Sequence, residues 1–490
     1  MKNTDYWLHQ SCNSRYIEAI QRINWFIVTM TIWVPQLSGQ GPVYRQLAQA
    51  IGQAVEQGEL QAGQRLPTHR ALADKLGVTV GTITRAYAEA EHQGWLTARV
   101  GAGTYVREES LEPAVSWHIR QPDPSRIELW QNLPILQDRE PAFRNAMEQL
   151  LATPGRINAL MEYSSVNGEL PQRKIVCAWL NKYGFTATAE RLFFSFGSQN
   201  GLLLSLMACG AVGETVLCEG LTYPGLSTLC HPLRIQLKGL AMDEEGILPQ
   251  ALEKACQSGS YRTLYLNPTI HNPTTSIMSL ARRQEILALC ERYQLIIIED
   301  DVHGTLPEVR PPALVELSPE RVIHLGSFAK NTSAGLRIGY MIVPSHLHSA
   351  MSIAVRGCCW MITPLMIELT CQWLQSGQAD QMLLNQRKVL RQRGELLRHH
   401  LGAHQVQYQD GGMHAWLPLP THWRSPAFVQ SADHLGIGVA GAELFTAGHF
   451  PSPQAVRLSI SHPGDNISLD KALGMLRQLL DSEPTPQWVI

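Results

Sequence analysis

GSFAKNTSAGLRIG, residues 326–339, is the stretch that decides the fold. It places one lysine, Lys330, among small and apolar residues, with Ser327 three positions before it and Arg337 seven positions after it. An amine in apolar surroundings should have a lowered pKa, which favours imine formation with an aldehyde. A lone lysine of this kind is more often a surface residue whose charged end reaches water. The residues upstream must therefore decide between the two interpretations.

Short apolar runs alternate with helical stretches from about residue 127 onward. The runs are RLFFSFG (191–197), ETVLCEG (214–220), TLYLNP (263–268), LIIIEDD (295–301) and RVIHLGSF (321–328). Buried strands that alternate with helices predict a mainly parallel sheet, and ligands bind at the carboxyl ends of the strands in such sheets. The polar residues at those ends are Ser198, Gln199, Tyr223, Asn272, Asp300, Asp301, Ser327 and Lys330.

Two of these strand ends have a recognisable chemistry. GSQNG (197–201) follows a strand and begins a helix, which is the geometry of an anion site on free backbone N–H groups. The carboxylate of Asp300 can pair with a buried cation, while Asp300 and Asp301 together suit either a metal site or a solvated strand end. No matching His/Glu set surrounds the two aspartates in the sequence, so we predict no metal site.

The order of these elements resembles the pyridoxal 5′-phosphate (PLP) enzymes of fold type I, the aspartate aminotransferase superfamily, over about residues 127–480. The resemblance implies that Lys330 forms the imine with PLP. It also implies that Asp300 pairs with the protonated pyridine nitrogen, which keeps the ring an electron sink. The other implied contacts are Asn272 on the phenolic oxygen, Tyr223 stacked on the ring, and Ser198, Gln199, Ser327 and Arg337 on the phosphate.

The same resemblance assigns two more residues and exposes two departures. Tyr163, in MEYSSVNGELPQR, resembles the tyrosine that reaches the phosphate from the neighbouring subunit, and Arg457, in AVRLSIS, matches the arginine that grips a substrate carboxylate as a bidentate fork. His303 stands three positions after Asp300, where the pattern often has a tyrosine on the phenolic oxygen, so we expect a contact whose charge depends on pH. Thr275 ends the Asn-Pro-Thr-Gly turn, where a positive φ would cost about 1 kcal/mol or more, so we expect an altered turn.

A smaller domain precedes the large one. GPVYRQLAQAIGQAVEQGEL (41–60) has apolar residues every four positions, which predicts one face of an amphipathic helix. Thr68 and Thr79 are candidate N-caps of two further helices, with Gly77 between them. TARVGAGTYV (97–106) then predicts a hairpin. Two short helices joined by a Gly-containing turn suit a helix-turn-helix, and the hairpin would be its wing.

Residues 33–107 closely resemble the winged-helix domain of the GntR family, through LPTHRALADKLGVTVGTITRAYAEAEHQGWLTARVGAGTYV. We count seven Lys/Arg against five Asp/Glu, a mild excess that leaves a small helical dimerisation module as the alternative. Val80 stands where that family usually has an arginine early in the recognition helix. The candidate DNA-binding residues are Thr68, Arg70, Thr79, Thr82, Thr84, Arg85, Arg99 and Gly103.

The fusion of the two domains resembles the MocR-type bacterial regulators. The predicted fold is multidomain, α+β and α/β: a winged helix-turn-helix, then a fold type I domain with a mainly parallel sheet and a smaller C-terminal α/β subdomain. The predicted boundaries are an extension (1–32), the winged helix (33–107), a linker (108–126) and the aminotransferase-like domain (127–485).

The MocR resemblance implies a homodimeric, domain-swapped transcriptional regulator. Its partners would be a double-stranded DNA operator and a small effector, which is PLP itself or an amino compound. Two alternatives stay open. One is a working aminotransferase with a DNA-binding appendage, and the other is a DNA-binding dimer whose large domain is a scaffold without cofactor.

Length and composition agree with this division. A chain of 490 residues is too long for one core, and a net charge of −2 confines any DNA contact to a local patch. Ten cysteines without paired spacing predict a reducing cytoplasm rather than a disulfide framework.

The N-terminus carries an apolar run over residues 23–34. At about a dozen residues it is short of the roughly 20 needed to cross a bilayer, so we predict no membrane segment. We interpret residues 1–29 as an upstream extension, with Met30 as a candidate start of the native protein. A dimer-packing or membrane-surface segment is the alternative.

Overall fold

A computed structural model describes residues 33–35, 37, 41–56, 58–61, 63–99, 103–106 and 126–483. The chain divides into two compact units between residues 109 and 110, and each unit has a hydrophobic core of its own. The predicted extension (1–32) lies outside the described residues, as does the predicted linker (108–126) except for its last residue.

Within the described residues, the first unit consists of helices followed by a β-hairpin. Its elements are α1 (Val43–Glu56), α2 (His69–Leu76), α3 (Val80–His92), β1 (Leu96–Arg99) and β2 (Gly103–Val106). Leu47 and Ile51 of α1 and Ile83 of α3 are fully buried in its core. The strands β1 and β2 pair antiparallel, which confirms the predicted wing hairpin.

Local capping explains why the two short helices begin and end where they do. The side chain of Thr68 accepts a hydrogen bond from Ala71 N at 3.3 Å, and that of Thr79 accepts one from Thr82 N at 3.2 Å. Both are the predicted N-caps. Gly77 ends α2 with φ +65°, a conformation that glycine adopts without steric cost.

A seven-stranded sheet forms the centre of the second unit. In spatial order its strands are β4 (Leu192–Ser195), β12 (Gly339–Ile342), β11 (Val322–Ser327), β10 (Ile296–Asp300), β9 (Thr263–Leu266), β5 (Thr215–Glu219) and β6 (Gln236–Leu240). All five strands predicted from the apolar runs are present, while β6 and β12 were missed. Because only β12 pairs antiparallel with its neighbours, the prediction of a mainly parallel sheet is confirmed.

The helices of the second unit precede the first strand of this sheet, connect its strands or belong to the C-terminal part of the unit. They are α4 (Glu140–Ala152), α5 (Arg156–Leu160), α6 (Leu170–Lys182), α7 (Gly197–Ala208), α8 (Pro224–Cys230), α9 (Pro249–Ser258), α10 (Leu280–Arg292), α11 (Leu314–Leu317), α12 (His348–Cys359), α13 (Pro364–Gln375), α14 (Gln378–Leu401), α15 (Ser425–His434) and α16 (Asn466–Leu480).

The C-terminal part of this unit is the predicted smaller α/β subdomain. Its sheet has the order β13 (His414–Pro418), β16 (Ala455–Ser459) and β15 (Ala440–Gly441), with α14 to α16 around it. The short strand β3 (Ile127–Glu128) pairs in parallel with β14 (Ile437–Gly438), so the chain enters the second unit along this subdomain. The remaining hairpin joins β7 (Met242–Asp243) to β8 (Gly246–Ile247).

The described residues also bear on membrane, metal and disulfide sites. No single helix among them is long and apolar enough to cross a bilayer. One pair of consecutive helical segments, Ser345–Cys359 and Pro364–Gln375, has the length and composition of a span, but the two are bent by 117°. No group of three or more His, Cys, Asp or Glu side chains suits a metal ion in the described part of the chain. The cysteines described there are free thiols.

A candidate cofactor site at the carboxyl edge of the sheet

A cavity of about 270 Å³ lies at the carboxyl edge of the large sheet. Parallel strands end at the same edge, so the loops after β9, β10 and β11 meet there. Ten of the residues predicted from the sequence line this cavity: Ser198, Gln199, Tyr223, Asn272, Asp300, His303, Ser327, Lys330, Arg337 and Arg457.

Tyr163 is the predicted cofactor residue that the structure does not bring to the cavity of its own chain. Its side chain is 82% exposed, and its ring contacts that of Trp360 edge-on, with 6.3 Å between the centroids. Its predicted role needs a neighbouring subunit and stays a prediction.

Lys330 ends a single 3₁₀ turn directly after β11, which points its amine into the cavity. The Nζ atom donates to the backbone carbonyl of Asn132 at 2.5 Å. Burial, and then the positive charge of Arg457, lower the pKa of Lys330 to about 8. A fraction of the amine is therefore neutral near neutral pH, as imine chemistry requires.

Asp300 is the last residue of β10 and is 5% exposed. Its Oδ2 accepts a hydrogen bond from the Tyr265 hydroxyl at 2.7 Å, while Asn267 Nδ2 donates to its backbone carbonyl. Burial raises the pKa of this carboxyl above its usual value. The Oδ1 atom has no partner within the described residues, so the carboxylate can accept a hydrogen bond from a cationic group in the cavity.

The start of α7 forms a cradle suited to an anion. Gly197 has φ +72°, and a Cβ atom there would lie 2.9 Å from Arg337 Nη2, so the close approach of Arg337 depends on glycine. Ser198 and Gln199 occupy the first turn, where backbone N–H groups lack helical partners. Arg337 donates to the Phe196 carbonyl at 3.2 Å and lines the cavity. Positive charge and free donors thus converge on one place.

Arg457 projects from β16 and is 2% exposed. Its Nη1 donates to Asn272 Oδ1 at 2.7 Å, and its Nη2 donates to the carbonyl of Trp130. Burial lowers its pKa to about 9, which still leaves the guanidinium charged at neutral pH. In this arrangement the two outer nitrogens of the fork are engaged by the protein itself.

The two departures from the aminotransferase pattern are His303 and Thr275. His303 Nδ1 lies 3.2 Å from the Ile270 carbonyl, which only accepts, so the proton of the neutral ring is on Nδ1. Burial, with a further contribution from Lys330, lowers its pKa to about 3, so the expected change of charge near neutral pH is wrong. Thr275 does adopt a positive φ of 67° and donates its N–H to the His271 carbonyl at 2.7 Å, so the turn is retained at this residue.

Sequence reasoning missed three residues of this site. Asn267 directly follows β9, at the same edge as the residues that were predicted, and that position was the available signal. Tyr265 points from the same strand to Asp300. Asn132 precedes every predicted strand of the large sheet, and nothing in its local pattern marks it, because folding alone brings it to Lys330.

The cavity holds several polar atoms that the protein does not satisfy. Within the described residues these buried atoms are Asn132 Oδ1, Gln199 Oε1, Asp300 Oδ1, His303 Nε2 and Arg457 Nε. Buried polar groups are normally paired. The donors and acceptors therefore indicate a polar ligand that carries both acidic and basic groups.

In the first unit six of the predicted DNA-binding residues lie in or at the start of α2 and α3, and Arg99 and Gly103 lie in the hairpin. Arg70 and Arg85 are exposed, and Gly103 begins β2 with φ +112°. The hydroxyl of Thr84 donates to the Val80 carbonyl at 3.0 Å, and those of Thr79 and Thr82 lie 2.9 Å apart.

These threonine side chains therefore also make hydrogen bonds within the first turns of α3. Arg99 closes β1. The DNA contacts of all eight residues stay predictions.

Comparisons with known proteins follow the same two-part division. Residues 127–472 match the family model for aminotransferase class I and II, and residues 43–106 match that for bacterial regulatory proteins of the gntR family. The HTH-type transcriptional regulator YdeF of Bacillus subtilis (strain 168) is 30% identical, over 92% of this chain and 97% of its own length. One relative therefore spans both domains.

Two relatives match the large domain. The 2-aminoadipate transaminase of Thermus thermophilus is 28% identical over 62% of this chain and 77% of its own length. The crystal structure of LysN, an alpha-aminoadipate aminotransferase from Thermus thermophilus complexed with N-(5′-phosphopyridoxyl)-L-leucine, has a TM-score of 0.65 at 26% identity. The match covers 73% of this chain and 92% of that one. The chain therefore belongs to the MocR-type regulators, in which a gntR-family winged helix precedes an aminotransferase class I and II domain.

Proposed function

We propose that this protein is a DNA-binding transcriptional regulator whose aminotransferase-like domain holds PLP and responds to PLP or to an amino compound. One observation carries the proposal. A chain with a gntR-family winged helix also keeps a cavity that gathers a lysine of lowered pKa, an unpartnered buried carboxylate and an anion cradle.

The residues of the cavity fit PLP group by group. Lys330 would hold the aldehyde carbon, and the unpartnered Asp300 Oδ1 would accept from the protonated ring nitrogen. The cradle of Ser198, Gln199 and Arg337 suits the phosphate. When bound, PLP supplies an electron-withdrawing ring; the chain supplies the amine, the counter-charge and the anion site.

Arg457 is the residue we propose for an effector carboxylate. A guanidinium binds a carboxylate through two parallel N–H groups, and the two outer nitrogens of Arg457 here donate to Trp130 and Asn272. A carboxylate would therefore replace at least one of these contacts. That exchange offers a way for an effector to favour one arrangement of the site over another.

We further propose a homodimer, with the domain-swapped arrangement that the family resemblance implies. Large apolar side chains stand exposed near Tyr163: Met161 at 73%, Ile353 at 70% and Trp360 at 59%. Exposed apolar side chains grouped in this way are typical of a protein interface. Burial of this surface in a dimer would carry Tyr163 towards a partner's cofactor.

The winged helix would bind the operator through α3 and the wing, with the exposed Arg70 of α2 and Arg85 of α3 contacting phosphates. Each phosphate that is neutralised adds about −0.9 to the slope of log affinity against log salt. DNA binding also supports the cytoplasmic location predicted from the sequence.

The test is a titration of PLP and then of single amino acids into the purified protein, following visible absorbance and binding to a DNA fragment selected from a random pool. The proposal predicts PLP absorbance and a selected DNA sequence. Absence of PLP binding would overturn the cofactor role, and failure to select any DNA would overturn the regulator.

Transaminase turnover is a second candidate, favoured by the retention of Lys330, Asp300 and Arg457 in one cavity. The neutral His303, which offers an unprotonated nitrogen where a tyrosine would donate, counts against it. Steady conversion of an amino acid with a keto-acid acceptor would support this candidate. A single turnover that then stops would exclude it.

A further inference from the structure

The segment 130–132 contacts two of the cationic side chains of the cavity through its main chain. The carbonyl of Trp130 accepts from Arg457, and that of Asn132 accepts from Lys330. Asn132 also lines the cavity, and its side-chain Oδ1 is buried there. Its amide oxygen and amide nitrogen present opposite hydrogen-bonding faces, so its orientation decides what the cavity offers to a ligand.

His414 fixes that orientation. Its Nε2 lies 3.1 Å from the His271 carbonyl, which can only accept, so Nε2 carries a proton. The ring is fully buried, beside Arg457 and close to His303, with 5.7 Å between the two histidine ring centroids. These surroundings hold the pKa of His414 well below its usual value, so the ring is neutral and Nδ1 is a bare acceptor.

Asn132 must therefore turn its Nδ2 donor towards His414, where the two atoms are 2.9 Å apart. Its Oδ1 faces the other way. This oxygen is buried and has no hydrogen-bond partner within the described residues. A relay of three groups (the His271 carbonyl, the His414 ring and the Asn132 amide) thus sets one acceptor at the cavity wall.

We infer that Asn132 is a specificity-determining residue, which selects amino compounds that carry a hydrogen-bond donor on their side chain. The inference rests on the proposed function and adds the class of effector. Asn132 also holds the Lys330 amine through its backbone carbonyl, so the residue lies beside the place where an effector's amino group would arrive. A hydroxyl, amide or ammonium group would pair with Oδ1, whereas an aliphatic chain would leave it unpaired and a carboxylate would be repelled.

The experiment measures affinity for effector pairs of equal shape, with the PLP-loaded full chain. Suitable pairs are threonine against valine, asparagine against leucine, and ornithine against norleucine. Leaving a buried acceptor unpaired lowers affinity by about 5- to 150-fold. We expect at least one pair to show a preference of this size in the native protein, by calorimetry and by visible absorbance.

Asn132→Leu and the smaller Asn132→Ala remove the acceptor, and the preference should fall to within about twofold of unity. Leu136→Ala is the control, since Leu136 lies four positions after Asn132, is 79% exposed and does not line the cavity, so the preference should be kept. A melting temperature measured for each variant shows whether it folds, and two variants of different size keep the test available if one does not.

Three results are decisive. A native protein that binds both members of every pair equally overturns the inference, and so does a preference that survives both Asn132 variants. Normal PLP absorbance in the same samples would show that the proposed function stands while the inference fails. Loss of PLP absorbance in the native protein would overturn both.

Discussion

The reactivity of Lys330 should depend on Arg457. Burial lowers the pKa of the amine first, and the guanidinium of Arg457 lowers it further, to about 8. At pH 7 an amine of that pKa is about one tenth neutral, compared with about three parts in ten thousand at the usual pKa of 10.5. The site thus raises the reactive fraction by about 300-fold. Arg457→Gln removes the charge but leaves the burial, so the pKa of Lys330 should rise while staying below its ordinary value.

The assay is competitive acetylation from pH 5 to pH 10, followed by proteolysis and mass spectrometry of the Lys330 peptide. Labelling of Lys330 should rise about tenfold per pH unit below its pKa and level off above about pH 8 in the native protein. In Arg457→Gln the plateau should begin at higher pH. The exposed Lys174 provides an internal standard in every sample, and Arg144→Gln, at an exposed surface ion pair, is the matched control.

Two outcomes would refute this reasoning. One is a native Lys330 whose labelling still rises at pH 10, which would mean that the cavity does not lower its pKa. The other is an unchanged or lower pKa in Arg457→Gln, which would mean that the guanidinium charge does not act on the amine. Arg144→Gln should leave the profile as it is.

Three further changes test separate parts of the structure. Asp300→Asn should weaken PLP binding, measured by absorbance titration, by about 10- to 150-fold, because a charge-assisted hydrogen bond contributes about 1.5–3 kcal/mol. The control is Asp301→Asn, which should keep PLP affinity because Asp301 is buried next to Asp300 but does not line the cavity. Gly225→Ala would place a Cβ atom 2.3 Å from the Tyr223 ring, so PLP affinity should fall by an amount equivalent to about 1–3 kcal/mol of overpacking, and unchanged affinity would contradict the packing. Thr79→Ala should destabilise the winged helix by about 1 kcal/mol, measured by thermal unfolding, while Thr79→Ser should keep the cap.

The parts of the site that the sequence predicted share a physical cause. Strand ends of a parallel sheet converge, so residues directly after apolar runs, such as Asp300 and Lys330, fall together in space. The N-caps Thr68 and Thr79 were equally predictable, because capping is decided by residues three positions apart.

The parts that the sequence did not predict depend on contacts between distant segments. Asn132 reaches Lys330 across 198 positions of the chain, and His414 lies 282 positions from Asn132. No local periodicity encodes such contacts. The charge of His303 was misjudged for a related reason, since only the fold reveals that the ring is fully enclosed beside a cation. The antiparallel strand β12 was missed although its four buried residues are as many as those of β4 and β9, which were predicted.

The coupling between the cavity and DNA binding is tested most directly by the operator affinity of the native protein and of Lys330→Ala, each with and without a saturating amino-acid effector. In the native protein the effector should change operator affinity by about 5- to 150-fold, the range of couplings of 1–3 kcal/mol. Lys330→Ala should bind the operator as the unliganded native protein does and should not respond. An effector that alters the PLP absorbance of the native protein but leaves its operator affinity unchanged would contradict the coupling, as would a full response in Lys330→Ala.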